Sequence, residues 1–424
     1  MTAPDIPAGF DFTDPDLYAQ RVPLEEFAEL RRTAPVFWSP TAHHAKGFDD
    51  DGYWVVTRHA DIVSISRNAE VFSTYENTAI VQFGPDMTQD KIEMQRFIML
   101  NMDPPKHTSQ RGIVSRGFTP RAINSLKDTL AERAERIVTE AVARGEGDFV
   151  NDVAVELPLQ AISELLGVPQ EDRHKIFTWS NQMVGGDDED LRSGDPEAAS
   201  IGMLGYAMEM AEERTRCPMD DIVTKLVTAT VDGEKLSSDE FGFFVLLLAV
   251  AGNETTRNAI SHGMNAFLDH PEQWELYKQG RHRTAPDEIV RWASPIVAFQ
   301  RTALQDTQVA GVDIAKGQRV AMFYSSANHD TEVFDHPERF DITRDPNPHL
   351  GFGGTGAHHC IGANLARLEI DLIFNAIAEQ MPNITKLAEP RRLRSAGSTG
   401  SSNCPCVTAE HLVSPTNLAQ MIWP

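Results

Sequence analysis

Most of the chain carries apolar side chains at every third or fourth position, the period of a helix with one buried face. Pro23 to Arg32, residues 120–145 and residues 153–167 show it, and so does a long stretch ending near Cys217. Strand patterns are few and short. Tyr53-Trp-Val-Val-Thr57 reads as a strand, preceded by Gly52 and followed by a helix starting near His59. Val309 to Val320 reads as short strands around Gly311 and Gly317. Residues 1–20 read as a loose acidic lead-in, and Gly185 to Pro196 as a mobile acidic loop. No internal repeat occurs, and no Pro/Gly/Ser-rich linker precedes residue 395. The expectation is one mainly α domain with small β-sheets over residues 1–394.

One helix departs from the ordinary pattern. Ser237 and Glu240 form a capping-box spacing ahead of Phe241–Ala251, a run apolar on all faces and therefore buried. Polarity then enters as Ala251-Gly252-Asn253-Glu254-Thr255-Thr256-Arg257. An acid and a threonine in a buried helix cost free energy unless something uses them. Gly252 is expected to let a ligand approach the backbone. Thr255 is expected to bond a preceding carbonyl or present its hydroxyl, with Glu254 supplying protons. The alternative is a helix that surfaces after Ala251 and leaves Glu254 solvated.

Further along, Gly351-Phe-Gly-Gly-Thr-Gly-Ala-His-His-Cys360-Ile-Gly362 sets one cysteine in a glycine-rich loop ahead of a helical run. Glycines let N–H groups approach a sulfur, and a helix N-terminus lowers a thiol pKa, as a thiolate metal ligand requires. A buried structural cysteine is the alternative. Glu288 and Arg291 lie three apart on one helix face, and Arg339 is expected to join them in one cluster. His107 and Arg111 share a helix face four apart; with Arg301 and His358 they are cations able to neutralise two carboxylates of a cofactor.

The 424 residues carry a formal net charge of −24 and a pI of about 4.9, which argues against nucleic acid or anionic membranes as partners. The four cysteines, Cys217, Cys360, Cys404 and Cys406, are too sparse for a disulfide framework and fit a reducing cytoplasm. Phe241–Ala251, the longest apolar run, falls short of the roughly 20 residues a bilayer span needs.

Taken in order, these motifs resemble bacterial cytochromes P450 over about Gly9 to Arg394. The oxygen-helix motif matches Ala251 to Thr256, with Glu254 where the family often has Asp; the Glu-x-x-Arg motif matches Glu288 and Arg291; the meander arginine matches Arg339; the haem-ligand loop matches Gly356-x-His358-x-Cys360-x-Gly362. Within that superfamily the chain is similar to actinobacterial steroid C26/C27-monooxygenases through Gly9 to Pro15, Gln95 to Asp103, Phe241 to Asn258 and Gly351 to Arg367. The resemblance implies the P450 fold, a triangular prism with haem b between the oxygen-binding helix and the Cys-ligand helix. It implies a cytoplasmic monooxygenase that uses O2 and electrons from a ferredoxin and its reductase to hydroxylate the terminal side-chain methyl of cholesterol or cholest-4-en-3-one. Fatty acids or terpenes are alternative substrates, and a haem-binding protein without turnover is the alternative activity. It places Cys360 on the iron; His107, Arg111, Ala251, Gly252, Arg301, Gly353, His358 and Gly362 around the haem; Glu254 and Thr255 in proton delivery. Ile80, Phe83, Phe97, Ile98, Met99, Val250, Val297 and Phe299 would line the substrate funnel.

Two departures stand out. The family's phenylalanine seven residues before the ligand cysteine is Gly353 here, with Phe352 one further back, a spacing the steroid branch shares. After Arg394 the relatives continue with a Gly-Trp-Leu-Asn-Gly-like stretch and a final strand, whereas this chain reads Ser395-Ala-Gly-Ser-Thr-Gly-Ser-Ser-Asn-Cys404-Pro-Cys406 without a strand pattern. Codons for Ala396 to Asn403 exist that, shifted by one base, read Trp-Leu-Asn-Gly-Ile-Lys. The expectation is a frameshift near residue 395, an atypical tail over 395–424, a lost hairpin beside the pocket, and an incidental Cys404-x-Cys406 pair.

Overall fold

Ser237 and Glu240 close the expected capping box: the Glu240 N–H donates to Ser237 Oγ at 3.1 Å, and the Ser237 N–H donates to the Glu240 carboxylate at 3.0 Å. From there one helix runs unbroken over Ser238–Asp269, 32 residues, so it does not surface after Ala251. Its all-round apolarity is satisfied because helices Glu156–Leu166, Pro196–Arg216, Ala285–Ala293 and Ala363–Gln380 all pack against it. The computed structural model describes residues 4–408 except 8, 41–47, 49, 84–87, 185–194, 220, 231–234 and 396. The loop expected at Gly185 to Pro196 lies outside the described residues up to 194.

The other helical patterns fold with changed bounds. Pro23 to Arg32 becomes Leu24–Thr33. Residues 120–145 divide into Pro120–Asn124 and Lys127–Arg144, and residues 153–167 open with a π-helical turn, Val150–Ala154, before Glu156–Leu166. The N-terminal lead-in is more ordered than its composition suggests. Asp14 caps the helix Pro15–Gln20, the Tyr18 hydroxyl donates to the Phe12 carbonyl at 3.0 Å, and Phe12 stacks on Phe27 at 5.4 Å.

A five-stranded sheet runs in the order Val36–Pro40, Gly52–Val56, Arg319–Phe323, Ala298–Ala303, Phe72–Ser73. Only the second and third strands pair in parallel. Arg301 sits on the fourth. Within Val309 to Val320, a hairpin turns at Ala310 and Gly311, both at positive φ, between strands Thr307–Val309 and Val312–Ile314.

The tail corrects the sequence reading. Ser401–Asn403 pairs with Arg391–Arg392, and Pro405–Val407 lies between Glu146–Asp148 and Thr385–Lys386. Strand pairing here rests on backbone groups, which any sequence supplies, so side-chain patterning does not announce it. Cys404 and Cys406 are both buried, with their sulfurs 3.6 Å apart. Among the described residues no helix is long and apolar enough to cross a membrane.

Candidate functional site

The cysteine loop is tied across its own neck: the Cys360 N–H donates to the Phe352 carbonyl at 2.9 Å. Gly353 holds φ near +89°, and at Gly356 a Cβ would lie 2.3 Å from the Ser66 carbonyl oxygen, so only glycine passes there. Phe352 packs under the Arg367 guanidinium, 4.5 Å from its ring centroid, and Arg367 donates to Asp287 at 2.8 Å. A phenylalanine therefore still buttresses the loop from its shifted position. Gly362 caps the helix Ala363–Gln380.

Cys360 is solvent-accessible, although much protein surrounds it. The sequence reading expects a lowered thiol pKa. In the structure burial pushes it up, outweighing the Gly362 and Ala363 N–H groups and the Arg111 and Arg367 charges that pull it down. Helix-end dipoles act over a single turn, whereas desolvation acts from all sides.

The four expected cations converge beside this loop. The His107 and His358 rings lie 4.1 Å apart, Arg111 donates to the His359 carbonyl, and Arg301 is buried with its guanidinium on the Gln300 carbonyl at 2.7 Å. Burial first, then Arg301, His107 and Arg111, lowers the His358 pKa to about 2; burial and Arg111 lower that of His107 to about 4. Both imidazoles are neutral at neutral pH. Among the described residues no carboxylate forms an ion pair with Arg111 or Arg301, and His107 Nδ1 is buried without a hydrogen bond. Thr74 and Asp103, which the sequence reading missed, hold His358: Thr74 Oγ1 lies 3.2 Å from its Nε2 and 2.9 Å from Asp103 Oδ1. Asp103 ends the quoted Gln95 to Asp103 match, the one signal that pointed towards it.

On the long helix the side chains on one face are open although the helix is otherwise enclosed. Leu247, Val250 and Thr255 are half-buried and Ala251 is exposed, while Ala249, Asn253 and Glu254 are buried. Leu247, Ala251 and Thr255 are spaced four apart and form one stripe beside open space. The Thr255 hydroxyl donates to the Ala251 carbonyl at 2.6 Å. Glu254 is 9% exposed; its Oε1 accepts from the Ser398 hydroxyl at 2.8 Å and stands 3.8 Å from Arg257 Nη2. At Gly252 a Cβ would come within 2.5 Å of Ile162 Cδ1, so the absence of a side chain clears the adjoining helix, while the residue itself stays half-buried beside exposed Ala251. Gly252→Ala should destabilise the protein by about 1–3 kcal/mol, the usual cost of overpacking. Adding Ile162→Val should recover part of that loss in denaturant unfolding.

The expected Glu288–Arg291–Arg339 cluster is also corrected. Arg291 makes a bidentate pair with Glu288 at 2.8 Å for both bonds and donates to the carbonyls of Asn328, Pro337 and Arg339. The second guanidinium on Glu288 is that of Arg344, at 3.2 Å. Arg339 contributes its backbone oxygen, and its side chain is 69% exposed. Two arginines five residues apart in one loop are indistinguishable by spacing, and only the loop path decides which turns inward.

The expected substrate residues differ in exposure. Phe97 is exposed and stacks on Phe243 of the long helix at 5.5 Å; Val250, Ile80 and Phe299 are half-buried. Phe83, Ile98, Met99 and Val297 are buried, Val297 in the N-terminal cluster with Phe12 and Phe27, so it is a core residue.

The "Cytochrome P450" family model matches residues 285–380. The chain is 65% identical to the steroid C26-monooxygenase of Rhodococcus jostii (strain RHA1) over 94% of its length and 85% of the relative. It is 59% identical to the steroid C26-monooxygenase of Mycobacterium tuberculosis (strain ATCC 25618 / H37Rv), over 94% and 93%. A Mycobacterium marinum cytochrome P450 solved in complex with pseudoionone superposes with a TM-score of 0.87 at 37% identity, covering 96% of this chain and all of that one. With 65% and 59% identity to the two monooxygenases over 94% of its length, and the shared fold of a cytochrome P450 that is 37% identical, the chain belongs to the cytochrome P450 family.

Proposed function

We propose that this protein is a haem-thiolate monooxygenase that hydroxylates the terminal methyl of a sterol side chain, with cholesterol or cholest-4-en-3-one as substrate. The family implies a haem-iron group, and the residues present suit it. The observation that carries the reading is the pair of arginines, Arg301 buried and Arg111 half-buried, that lack carboxylate partners beside the neutral His107 and His358. An unpaired buried guanidinium is costly, and the two carboxylates of haem b would complete it. Cys360 would hold the iron, within the loop set by Gly353 and Gly362, and Ala251 would border the macrocycle from the long helix. When bound, haem with a thiolate ligand supplies dioxygen activation and O–O cleavage.

The chain's own groups do the rest. Thr255 can exchange its 2.6 Å bond to the Ala251 carbonyl for one to a ligand by rotating χ1, which places a donor at the open stripe. Glu254, one residue earlier and nearly enclosed, exchanges protons with water there. The apolar side chains around the open stripe, Leu247, Val250, Phe97 and Phe243, suit a hydrocarbon side chain and exclude water from it. The sterol assignment draws support from the two C26-monooxygenase relatives.

Titrating the haem-loaded protein with cholest-4-en-3-one should shift its Soret band from the low-spin to the high-spin position, saturably. No shift with either sterol, alongside a shift with a fatty acid or terpene, would transfer the substrate to that class. For electron delivery we propose a ferredoxin with its reductase, and a cytoplasmic location consistent with four unlinked cysteines. We also propose a single P450 domain that takes in the tail strands up to Val407 rather than ending at Arg394; a reading frame shifted near residue 395 would replace Ser398 and its neighbours, and sequencing the gene's end tests it.

A further inference from the structure

We propose that Ser398, in the divergent tail, is a positioning residue for the Glu254 carboxylate: its hydroxyl fixes Oε1 and leaves Oε2 as the oxygen that exchanges protons. The inference rests on the reading of Glu254 as the proton carrier and adds a residue that the sequence motifs do not contain.

The contact is built on both sides. Ser398 is buried, and its Oγ donates to Glu254 Oε1 at 2.8 Å. The backbone that carries it is clamped to the chain linking the Glu288 helix to the main sheet. Ser398 bridges Ile296, the Val297 N–H donates to the Gly397 carbonyl at 3.1 Å, and the Thr399 N–H donates to the Pro295 carbonyl at 2.9 Å. The Thr399 hydroxyl reaches the Ala293 and Ser294 carbonyls at 2.6 and 2.9 Å. On the tail side Ser395 Oγ accepts the N–H groups of Gly397 and Ser398, both at 3.2 Å. Two residues on, Gly400 lies so near the long helix that a Cβ would stand 2.4 Å from Asn258 Oδ1. The segment therefore cannot drift from the helix, and the serine hydroxyl arrives at the acid on a fixed arm.

Oε1 is also the oxygen nearest Arg257, at 3.8 Å. Both partners thus meet one side of the carboxylate. Among the described residues no hydrogen bond reaches Oε2, and Oε2 is not one of the fully enclosed unpartnered atoms, so it keeps the carboxylate's remaining exposure. A hydrogen bond to one oxygen disfavours rotation of the carboxylate about its last bond. That keeps the other oxygen aimed, which is the geometric demand on a general acid–base group.

Ser398→Ala, Ser398→Thr and Glu254→Gln test this together in the haem-loaded full chain. The first readout needs no turnover: the asymmetric carboxylate stretch of Glu254, isolated as wild type minus Glu254→Gln. It should shift in Ser398→Ala and return towards wild type in Ser398→Thr, which keeps the hydroxyl. The second is coupling with cholest-4-en-3-one. Ser398→Ala should lower product formed per NADH by about tenfold, the scale of one lost hydrogen bond to a charged group, with sterol affinity unchanged. An unshifted band, or wild-type coupling in Ser398→Ala while Glu254→Gln is impaired, overturns the role of Ser398. Wild-type coupling in Glu254→Gln overturns instead the reading of Glu254.

Discussion

Cys360→Ser abolishes sterol oxidation and the red-shifted carbon monoxide band that thiolate ligation gives, in protein that remains folded. The substitution is small in volume, and the neck bond from the residue-360 N–H to the Phe352 carbonyl uses backbone alone, so the loop should keep its path. What changes is the donor. A serine hydroxyl stays protonated at neutral pH and offers the iron far less electron density than a thiolate, which is the property that favours O–O cleavage. Burial raises the Cys360 thiol pKa, while Arg111, Arg367 and the Gly362 and Ala363 N–H groups pull it down and would favour a metal-bound thiolate. A carbon monoxide spectrum of the reduced variant checks the outcome. Retention of the red-shifted band would mean that another residue ligates the iron.

The second large effect separates two arginines that motif reading treats as partners. Arg291→Ala should cost about 3–5 kcal/mol, because it strips the main counter-charge from a fully buried Glu288 and leaves three carbonyls without their donor. Arg339→Ala should cost within about 0.5 kcal/mol, since its side chain lies at the surface beside Glu338 and only its carbonyl enters the cluster. Arg344→Ala should fall between them, losing one of the two guanidinium contacts on Glu288. Denaturant unfolding of the three variants measures the order. An Arg339 effect as large as that of Arg291 would contradict the arrangement described. The Arg291 hub ties the Glu288 helix to residues 328–339, so its loss should also loosen haem retention.

The contrast between Arg339 and Arg344 shows how far a sequence carries a site. Residues whose role follows from local spacing were legible: the capping box at Ser237, the Glu288–Arg291 pair three apart on a helix, and the glycine-rich approach to Cys360. Gly252 was legible only in part, because a glycine in a helix announces close approach without saying what approaches; Ile162 is one such neighbour. Val297 was misread for a similar reason, since an apolar strand residue fits a core and a pocket equally well. Thr74, Asp103 and Ser398 were not singled out, as each reaches its partner across 29 residues or more.

By itself the sequence determined the mainly helical class, the buried helix with its acid and threonine, and the glycine-rich run before Cys360, because those rest on periodicity, caps and short spacings that the local chain enforces; the family came from the resemblance those motifs carry. Only the tertiary structure decided which arginine closes on Glu288, that Arg111 and Arg301 meet two neutral histidines without a carboxylate ion pair, that burial outweighs the helix end at Cys360, and that a strandless-looking tail pairs into sheets and hands a hydroxyl to Glu254. The reason is physical. Desolvation and side-chain hydrogen bonds depend on what the remainder of the fold brings within a few ångströms, and backbone pairing is open to almost any residue.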